Sequence, residues 1–272
     1  MSNDAFPREL ADGKLLLDRP AEGVARLTIS NPAKRNALDH PILDAITASL
    51  GELSREARCL IVTGAHGMFS AGYDIGEIPA EQFEERAERL VAHPFTEAID
   101  ALERFPYPTL AALPGHTIGG GLELALACDL RVAKEDIKLG MPPAKLGLVY
   151  SHTGLRRFID AIGAARTREL FLLGSYVDAT TALQWGLVNR VAPDAQLIQV
   201  TLELAAELAG NAPLSQLGNK RVIAALLAAE AALPEDVEEE LIELRRASFA
   251  SKDMREGMRA FAERRAPRWQ NE

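Results

Sequence analysis

The chain has 272 residues, of which 47% are hydrophobic and 25% are charged, a composition that can bury a substantial core and shows no sign of disorder. Its formal net charge of −9 argues against broad nucleic-acid binding, which requires a basic face to displace counterions from phosphates. The first residues lack a basic segment followed by an apolar one, and no apolar run approaches the roughly 20 residues of a membrane span, so we expect a cytoplasmic protein with no membrane partner.

Hydrophobic periodicity predicts alternating strands and helices early in the chain and mainly helices later. Strands are predicted at residues 14–17, 24–29, 59–63, 109–113 and 129–133, and helices at 42–53 and within 80–105, where Pro106 and Pro108 end the second helix. Further helices are predicted at 164–173, 197–210, 215–232, 235–249 and 253–265. This pattern alone places the chain in the α/β class.

The two cysteines and the metal-binding residue types indicate no special chemistry. Cys59 and Cys128 each lie in an apolar run, which favours buried reduced thiols over a disulfide or a metal pair. No flavin, nicotinamide, metal or phosphate-loop signature reaches useful specificity. We therefore expect neither a metal nor a bound cofactor.

Residues 115–129 form the most informative segment, because three successive glycines lead into an apolar helix with one early carboxylate, Glu123. Backbone N–H groups in the first turn of a helix lack intrahelical partners and lie at the positive end of the helix dipole, so they can receive a developing negative charge. A second small-residue loop, residues 67–75, follows the strand predicted at 59–63 and can deliver another N–H to a pocket edge. Two such donors can converge on one oxyanion.

At these two segments the chain resembles the crotonase family, the enoyl-CoA hydratases and isomerases. The family's A-G-x-D loop is similar to Ala71-Gly72-Tyr73-Asp74, and its G-G-G-x-E turn is similar to Gly119-Gly120-Gly121-Leu122-Glu123. These motifs supply two oxyanion N–H groups in the family, and the donors fall here at Tyr73 and Gly120. Residues 31–38, 256–261 and 264–267 resemble the early motif and the C-terminal signature, so the resemblance covers nearly the whole chain.

The resemblance also implies an architecture: a crotonase-like spiral of ββα units with a C-terminal helical oligomerisation region. On that basis we predict a core at residues 1–195 that holds an acyl-CoA site and a helical region at 196–272. Because the family usually forms trimers or dimers of trimers, we expect a homotrimer or a dimer of trimers. The sequence leaves open whether the alanine-rich helix at 215–232 packs within its own chain or against a neighbouring subunit.

The chain departs from the family where a typical hydratase carries a second glutamate, because that position is Pro143. Hydration of an enoyl thioester needs activation of water and protonation of the α-carbon, chemistry suited to paired carboxylates, and only Glu123 is retained. A 1,3-proton shift can use one carboxylate as both base and acid. Decarboxylation of a malonyl-type thioester needs mainly a stabilised enolate. Isomerisation, one-glutamate hydration and decarboxylation therefore remain open.

The local sequence favours decarboxylation. Residues 141–143 (Met-Pro-Pro), 146–147 (Leu-Gly) and Tyr150 resemble the corresponding segment of methylmalonyl-CoA decarboxylases, which carry a tyrosine matching Tyr150. We predict that the Tyr150 hydroxyl orients the substrate carboxylate. The subgroup's threonine falls at Pro142 and its histidine at Tyr73, and these departures put substrate fit in question. The alternative from another functional class is a noncatalytic CoA-binding or scaffolding protein that has lost the acid/base pair.

Five further residues are predicted to bind the substrate. Lys34 and Arg35, beside a helix start, are candidates to bind the phosphates of CoA. The loop residues Ala71, Asp74 and His152 are also predicted to bind the substrate, Asp74 by orienting its loop and His152 by donating to a carboxylate or passing a proton. The expected partner is an acyl-CoA substrate, with CoA as part of that substrate. His116 and Asp129 are expected to have structural roles.

Overall fold

Ten strands form two sheets in the computed structural model, which describes residues 7–74 and 91–270. In chain order they are β1 (Arg8–Leu10), β2 (Leu15–Ala21), β3 (Val24–Ile29), β4 (Cys59–Gly64), β5 (Thr109–Leu113), β6 (Thr117–Ile118), β7 (Leu130–Lys134), β8 (Lys138–Gly140), β9 (Tyr176–Asp178) and β10 (Arg190–Ala192). The larger sheet has the order β1-β2-β3-β4-β5-β7-β10, and β6-β8-β9 form the smaller one.

The helices surround these sheets. In chain order they are α1 (His40–Glu56), α2 (Thr96–Glu103), α3 (Gly120–Leu126), α4 (Pro143–Leu146), α5 (His152–Leu173), α6 (Ala179–Trp185), α7 (Leu197–Gly210), α8 (Pro213–Ala231), α9 (Glu235–Ala250) and α10 (Lys252–Ala262). Single 3₁₀ turns cover Pro32–Lys34 and Asp194–Gln196, and a π-helical turn at Val91–Phe95 leads into α2.

Strand direction determines where the site lies. Strands β1 to β3 pair antiparallel, whereas β3, β4, β5, β7 and β10 pair parallel in that order. Carboxyl ends of parallel strands meet at one edge of a sheet, where α/β folds bind ligands. The loop after β4 and the turn after β5 leave from this edge, and parallel bridges at Leu38↔Tyr73 and Ser70↔Thr117 tie them to their neighbours.

The large sheet is covered on both faces, which explains why β4 and β5 are apolar without alternation. One face contributes to the main core with α1, α2 and α3, and the other packs against α7 through Leu197, Leu204 and Ala205. Helix α7 therefore packs on the sheet although it falls in the helical region predicted at 196–272. The division at residue 195 stays a prediction.

Several predicted elements match the structure and others do not. The strands at 24–29 and 109–113 and the helix at 197–210 have the predicted bounds, while residues 80–90 of the helix predicted within 80–105 lie outside the described residues. Strands β1, β6, β8, β9 and β10 and helices α4 and α6 were not predicted. Helix α5 begins at His152 rather than at residue 164, so the prediction of His152 in a loop is wrong. Ser151 caps the helix by accepting from the Gly154 N–H at 3.1 Å, and a non-helical Gly163 interrupts its periodicity.

Both cysteines are buried and unpaired, as predicted. Burial raises the pKa of each thiol to about 12, so neither is a thiolate near neutral pH. Across residues 7–74 and 91–270, no helix is long and apolar enough to cross a bilayer. The same part of the chain contains no cluster of three or more His, Cys, Asp or Glu side chains suited to a metal ion.

Candidate active site

The backbone of Tyr73 is held so that its N–H faces away from the neighbouring chain segment. The Leu38 N–H donates to the Gly72 carbonyl at 2.7 Å, and the Asp74 N–H donates to the Leu38 carbonyl at 2.9 Å. In this parallel pattern the residue between the two bonds points its own N–H to the opposite side. Among the described residues no acceptor faces the Tyr73 N–H. The donor predicted from the sequence is therefore free to bind a ligand.

The second predicted donor lies directly beside the first. Gly120 opens α3, so its N–H has no intrahelical partner, and none is present elsewhere in the described part of the chain. Gly119 has a φ of 57° and turns the chain into the helix, while its own N–H donates to the Gly140 carbonyl at 2.9 Å. A Cβ atom placed on Gly72 would lie 3.1 Å from the Gly120 nitrogen. The structure thus brings the Tyr73 loop and the Gly120 turn into contact.

A buried asparagine braces the Tyr73 loop. The Asn36 side-chain oxygen accepts from the Asn31 N–H at 2.8 Å, and its amide group donates to the Ala65 carbonyl at 2.9 Å and the Met68 carbonyl at 2.8 Å. Asn36 has a φ of 55°, a left-handed conformation that asparagine tolerates better than most residues. The early motif at residues 31–38 therefore acts on the site through the loop.

Glu123 is only 2% exposed, and both of its carboxylate oxygens have partners. The Tyr150 hydroxyl donates to Oε2, and the Arg157 guanidinium donates to Oε1 at 3.2 Å. Burial raises the pKa of the Glu123 carboxyl, and this effect exceeds the opposing influence of Arg157 and of the Tyr150 hydrogen bond. The Glu123 carboxyl therefore takes up a proton at a higher pH than the carboxyl of a surface glutamate does.

Arg157 compensates Glu123 only in part, because two other carboxylates share its charge. Its guanidinium donates to Glu103 at 2.7 and 2.9 Å and to Asp100 at 3.2 Å. Arg157 is a site residue that the sequence analysis missed. It lies 34 positions from Glu123 and next to a second arginine, Arg156, so no local pattern distinguished the two.

The Tyr150 hydroxyl also faces the hydroxyl of Tyr73, at 3.2 Å. We call the linked side chains of Tyr73, Tyr150 and Glu123 the hydroxyl network. The rings are fixed by edge-on aromatic contacts, Tyr73 with Phe95 at 4.5 Å and Tyr150 with Phe171 at 5.5 Å between centroids. Burial, followed by the charge of Glu123, raises the pKa of both phenols well above the ordinary value, so both hydroxyls keep their protons near neutral pH.

Where a hydratase would place its second glutamate, Pro143 is buried at the start of α4. This short helix is held from behind by α10, because a Cβ atom on Gly257 would lie 2.6 Å from the Leu146 carbonyl oxygen. Gly154 makes room for the hydroxyl network, since a Cβ atom there would lie 2.6 Å from the Tyr150 ring and 3.0 Å from Glu123 Oε1. Pro143 itself brings no proton-exchanging group to the site.

The residues predicted to bind the substrate have different surroundings in the structure. The Lys34 ammonium contacts the Asp74 carboxylate at 2.7 Å, and the exposed Arg35 accepts a hydrogen bond from the Ala71 N–H through its carbonyl at 3.1 Å. His152 has its Nε2 atom 3.4 Å from a carboxylate oxygen of Glu238 on α9, and its buried Nδ1 atom has no partner among the described residues. Roles for these residues in binding the substrate stay predictions.

Two residues expected to be structural are so. His116 Nδ1 accepts from the Lys138 N–H at 3.0 Å and thereby shapes the turn before Gly119. Asp129 accepts from the Thr109 N–H and from the Lys220 ammonium, each at 2.7 Å, and so joins β5 to α8.

A cavity of about 320 Å³ lies on the other face of the large sheet, against α7. Its lining includes Leu16, Arg26, Ile61 and Ile198 and contains none of the predicted site residues. Because successive residues of a strand point to opposite faces, this cavity is separated by the sheet from the main core to which Tyr150 belongs.

Comparisons with known proteins agree with the geometry. The Enoyl-CoA hydratase/isomerase family profile matches residues 19–272. A probable enoyl-CoA hydratase of Bacillus subtilis (strain 168) is 36% identical over 256 residues, covering 92% of this chain and 96% of the relative. An enoyl-CoA isomerase/hydratase of Mycosarcoma maydis is 34% identical over 260 residues, covering 90% and 92%. Methylmalonyl-CoA decarboxylase in complex with 2-nitronate-propionyl-CoA has a TM-score of 0.86 at 28% identity, covering 95% of this chain and 99% of that one. The chain therefore belongs to the enoyl-CoA hydratase/isomerase family and has the crotonase fold.

Proposed function

We propose that this protein forms and stabilises an enolate of an acyl-CoA thioester, and that its reaction is decarboxylation of a short malonyl-type CoA ester. The thioester oxygen accepts hydrogen bonds from the N–H groups of Tyr73 and Gly120, which lie side by side without other partners among the described residues. Preorganised donors of this kind stabilise the charge that develops on the oxygen. The reaction needs no metal and no cofactor apart from the CoA carried by the substrate.

The observation that carries the choice of decarboxylation is the pairing of Glu123 with the Tyr150 hydroxyl, combined with Pro143. A hydratase needs a carboxylate that can bind water, and here both oxygens of Glu123 are occupied by Tyr150 and Arg157. In decarboxylation the bond to the carboxylate breaks, its electron pair enters the enolate, carbon dioxide leaves and one proton is added to the α-carbon. The similarity to methylmalonyl-CoA decarboxylase supports this choice.

Isomerisation or one-glutamate hydration is the second candidate. It is favoured by the raised pKa of the buried Glu123 carboxyl, because a group that titrates closer to the working pH serves better as both base and acid. The relatives named as hydratases and isomerases point in the same direction.

The test is incubation of the purified protein with methylmalonyl-CoA, ethylmalonyl-CoA and crotonyl-CoA, with the products resolved by mass spectrometry. Loss of carbon dioxide that depends on Tyr150 supports the decarboxylase, with Tyr150→Phe as the diagnostic variant. Addition of water or movement of a double bond, abolished in Glu123→Gln, supports the second candidate. Tight binding of these esters without turnover supports the noncatalytic rival instead.

We also propose that the chain acts as a homotrimer or a dimer of trimers, and α8 supports association. This 19-residue helix has no buried side chain among those described, and Val222, Ile223 and Leu226 are each 57–63% exposed. A contiguous apolar surface of this kind favours contact with another protein surface. Light scattering on a chromatography column tests the proposal: a multiple of three chains that dissociates in Ile223→Glu/Leu226→Glu supports it, and a monomer contradicts it.

A further inference from the structure

Glu123 has no direct route to a substrate. Its side chain is 3% exposed, one oxygen accepts from Tyr150 and the other from Arg157. Tyr150 is itself only 7% exposed. Of the three residues in the hydroxyl network, Tyr73 is the one that is partly exposed. A proton that leaves or reaches Glu123 along the network therefore passes through Tyr73.

The Tyr73 ring lies beside the place where the thioester oxygen would bind. A Cβ atom on Gly120 would lie 2.7 Å from Cε1 and 3.0 Å from both Cδ1 and Cζ of the ring. The ring thus covers the Cα atom of the residue whose N–H is the second oxyanion donor. Because the first donor is the N–H of Tyr73 itself, one residue brings both a hydrogen-bond donor and a phenol to the same small region.

We propose that Tyr73 is a catalytic residue through its side chain: its hydroxyl exchanges the proton at the α-carbon of the enolate, and Tyr150 and Glu123 relay that proton. The proposal rests on the enolate-forming function and deepens it, because it assigns the acid that completes the reaction. It also gives a role to the position where the decarboxylase subgroup carries a histidine. Glu123 then acts through Tyr150, and Tyr73 contacts the substrate, so Tyr150 relays a proton in place of the predicted role of orienting the substrate carboxylate.

The proton transfers balance in the following way. A C–H bond forms at the α-carbon as the Tyr73 O–H bond breaks, and the electron pair of the enolate becomes the new bond. When Glu123 is protonated, its carboxyl donates to the Tyr150 oxygen and the Tyr150 hydroxyl turns to donate to Tyr73. The Tyr73 oxygen then takes a proton from Tyr150, which takes one from the carboxyl of Glu123. After the product leaves the space beside Tyr73, the Tyr73 hydroxyl takes one proton from water that enters there, and the network passes a proton back to Glu123. Each turnover of decarboxylation thus consumes one solvent proton.

The protonation states of the network suit this role. Burial raises the pKa of the Glu123 carboxyl, which favours the protonated form that the relay needs. Burial also keeps both phenols protonated before the reaction. A phenol with a raised pKa gives up its proton only to a strong base, and the α-carbon of an enolate is such a base.

The experiment is exchange of the α-protons of propionyl-CoA in D₂O, followed by mass spectrometry and NMR. This saturated ester has no carboxylate to lose and no double bond to hydrate or move, so exchange reports enolate formation and protonation alone. We expect exchange in Tyr73→Phe and in Tyr150→Phe to fall about 100-fold or more, the usual contribution of a positioned acid or base. The double variant should be no slower than the slower of the two single variants, because the effects of groups that act in series are not additive.

Tyr107→Phe is the matched control, since its phenol is bonded to Arg58 at 2.8 Å and belongs to no part of the site. A second readout separates a positioned acid from a merely structural tyrosine. The wild-type protein should exchange one of the two α-protons faster than the other, and the residual exchange of Tyr73→Phe should lose this preference because water then protonates both faces.

Two results overturn the proposal, and they are distinguishable. If the wild-type protein exchanges the protons and Tyr73→Phe does so at the same rate and with the same preference, the relay is wrong while the enolate function stands. If the wild-type protein catalyses no exchange, the relay fails; the enolate function fails only if methylmalonyl-CoA also loses no carbon dioxide, because decarboxylation forms the enolate without removing an α-proton. Because both substitutions keep the aromatic ring, both variants should still unfold in one cooperative thermal transition, which shows that they are folded.

Discussion

Two buried glutamates in this chain have opposite electrostatic environments. Glu123 in the site is 2% exposed and Glu256 on α10 is 3% exposed, so neither residue has much surface open to solvent. The pKa of Glu123 is raised, whereas the pKa of Glu256 is lowered well below its ordinary value. Limited solvent exposure alone therefore does not predict the protonation state of a carboxyl group.

The difference lies in the donors and in burial, which is the largest influence on the pKa of Glu123 but a minor one for Glu256. The Glu256 carboxylate accepts hydrogen bonds from the side chains of Arg265 and Arg259 and from the Arg268 N–H, and these stabilise the charged form. Glu123 receives one neutral hydroxyl and one cation that it shares with two other carboxylates. A strongly compensated glutamate holds a structure together, whereas a weakly compensated one is suited to exchange protons.

The sharpest test of this contrast is Glu123→Gln. Glutamine can still accept hydrogen bonds but cannot exchange a proton, so α-proton exchange of propionyl-CoA should fall by about 100- to 10,000-fold. The free energy of unfolding at neutral pH should be unchanged or higher, because a buried ionisable group is lost while Arg157 keeps Glu103 and Asp100 as partners. A variant that unfolds more easily than the wild type would show that Glu123 is structural.

Gly120→Pro separates the oxyanion site from the hydroxyl network. It removes the N–H donor at a helix position where proline is tolerated, and loss of one such donor costs about 100- to 1,000-fold in turnover. Gly120→Ala is the matched control, because it keeps the N–H and introduces the same contact with the Tyr73 ring at 2.7 Å. If the alanine variant loses as much activity as the proline variant, displacement of the ring and not loss of the N–H is responsible.

Arg157→Gln should remove the positive charge that stabilises the ionised carboxylate of Glu123. Burial is then opposed by Tyr150 alone, so the pKa of Glu123 should rise further and the pH profile of α-proton exchange should move to higher pH. Removing one partner from a buried ion pair destabilises a protein by about 3 kcal/mol. Arg156→Gln is the control, since Arg156 pairs with Asp160 at 2.7 Å on the exposed side of α5. A profile that does not move in Arg157→Gln would contradict the electrostatic role.

Glu256→Gln should have the opposite effect to Glu123→Gln. It removes the charge that binds Arg259 and Arg265 and loosens α10, which packs against α4 through Gly257. We expect the thermal unfolding midpoint to fall while proton exchange per folded molecule is retained. Loss of exchange in a fully folded variant would show that the C-terminal cluster acts on the site directly.

The sequence predicted the backbone part of the site better than its side chains. A glycine turn before a helix and a small-residue loop after a strand are local patterns, and the structure places Gly120 and the Tyr73 loop in contact. The pairing of Glu123 with Arg157 and Tyr150 spans 34 and 27 positions and leaves no local signal. The side chain of Tyr73 occupies the variable position of its motif, so the motif carried no information about its hydroxyl.

The same distinction holds for the fold. Strands at 24–29 and 109–113 and the helix at 197–210 carry regularly spaced or continuous apolar residues and were predicted with their observed bounds. Strands β6, β8 and β9 have two or three residues each, too few to show a period, and exist because they pair with each other. Helix α5 was predicted to begin late, because Gly154 and Gly163 reduce the helical propensity of its first half.

The smallest expected effect is the pH dependence of stability, which should differ in sign between the two glutamates. Glu123 has a raised pKa, so above the ordinary glutamate range the native state binds more protons than the unfolded state and stability falls as the pH rises. Glu256 has a lowered pKa, so its contribution is present above the ordinary range and is lost as the pH falls below it. Urea unfolding measured across pH should therefore show two differences from the wild type. In Glu123→Gln the free energy of unfolding should fall less as the pH rises above the glutamate range, and in Glu256→Gln it should fall less as the pH drops below that range. Parallel curves for the two variants would show that donor number does not control the protonation of these carboxyls.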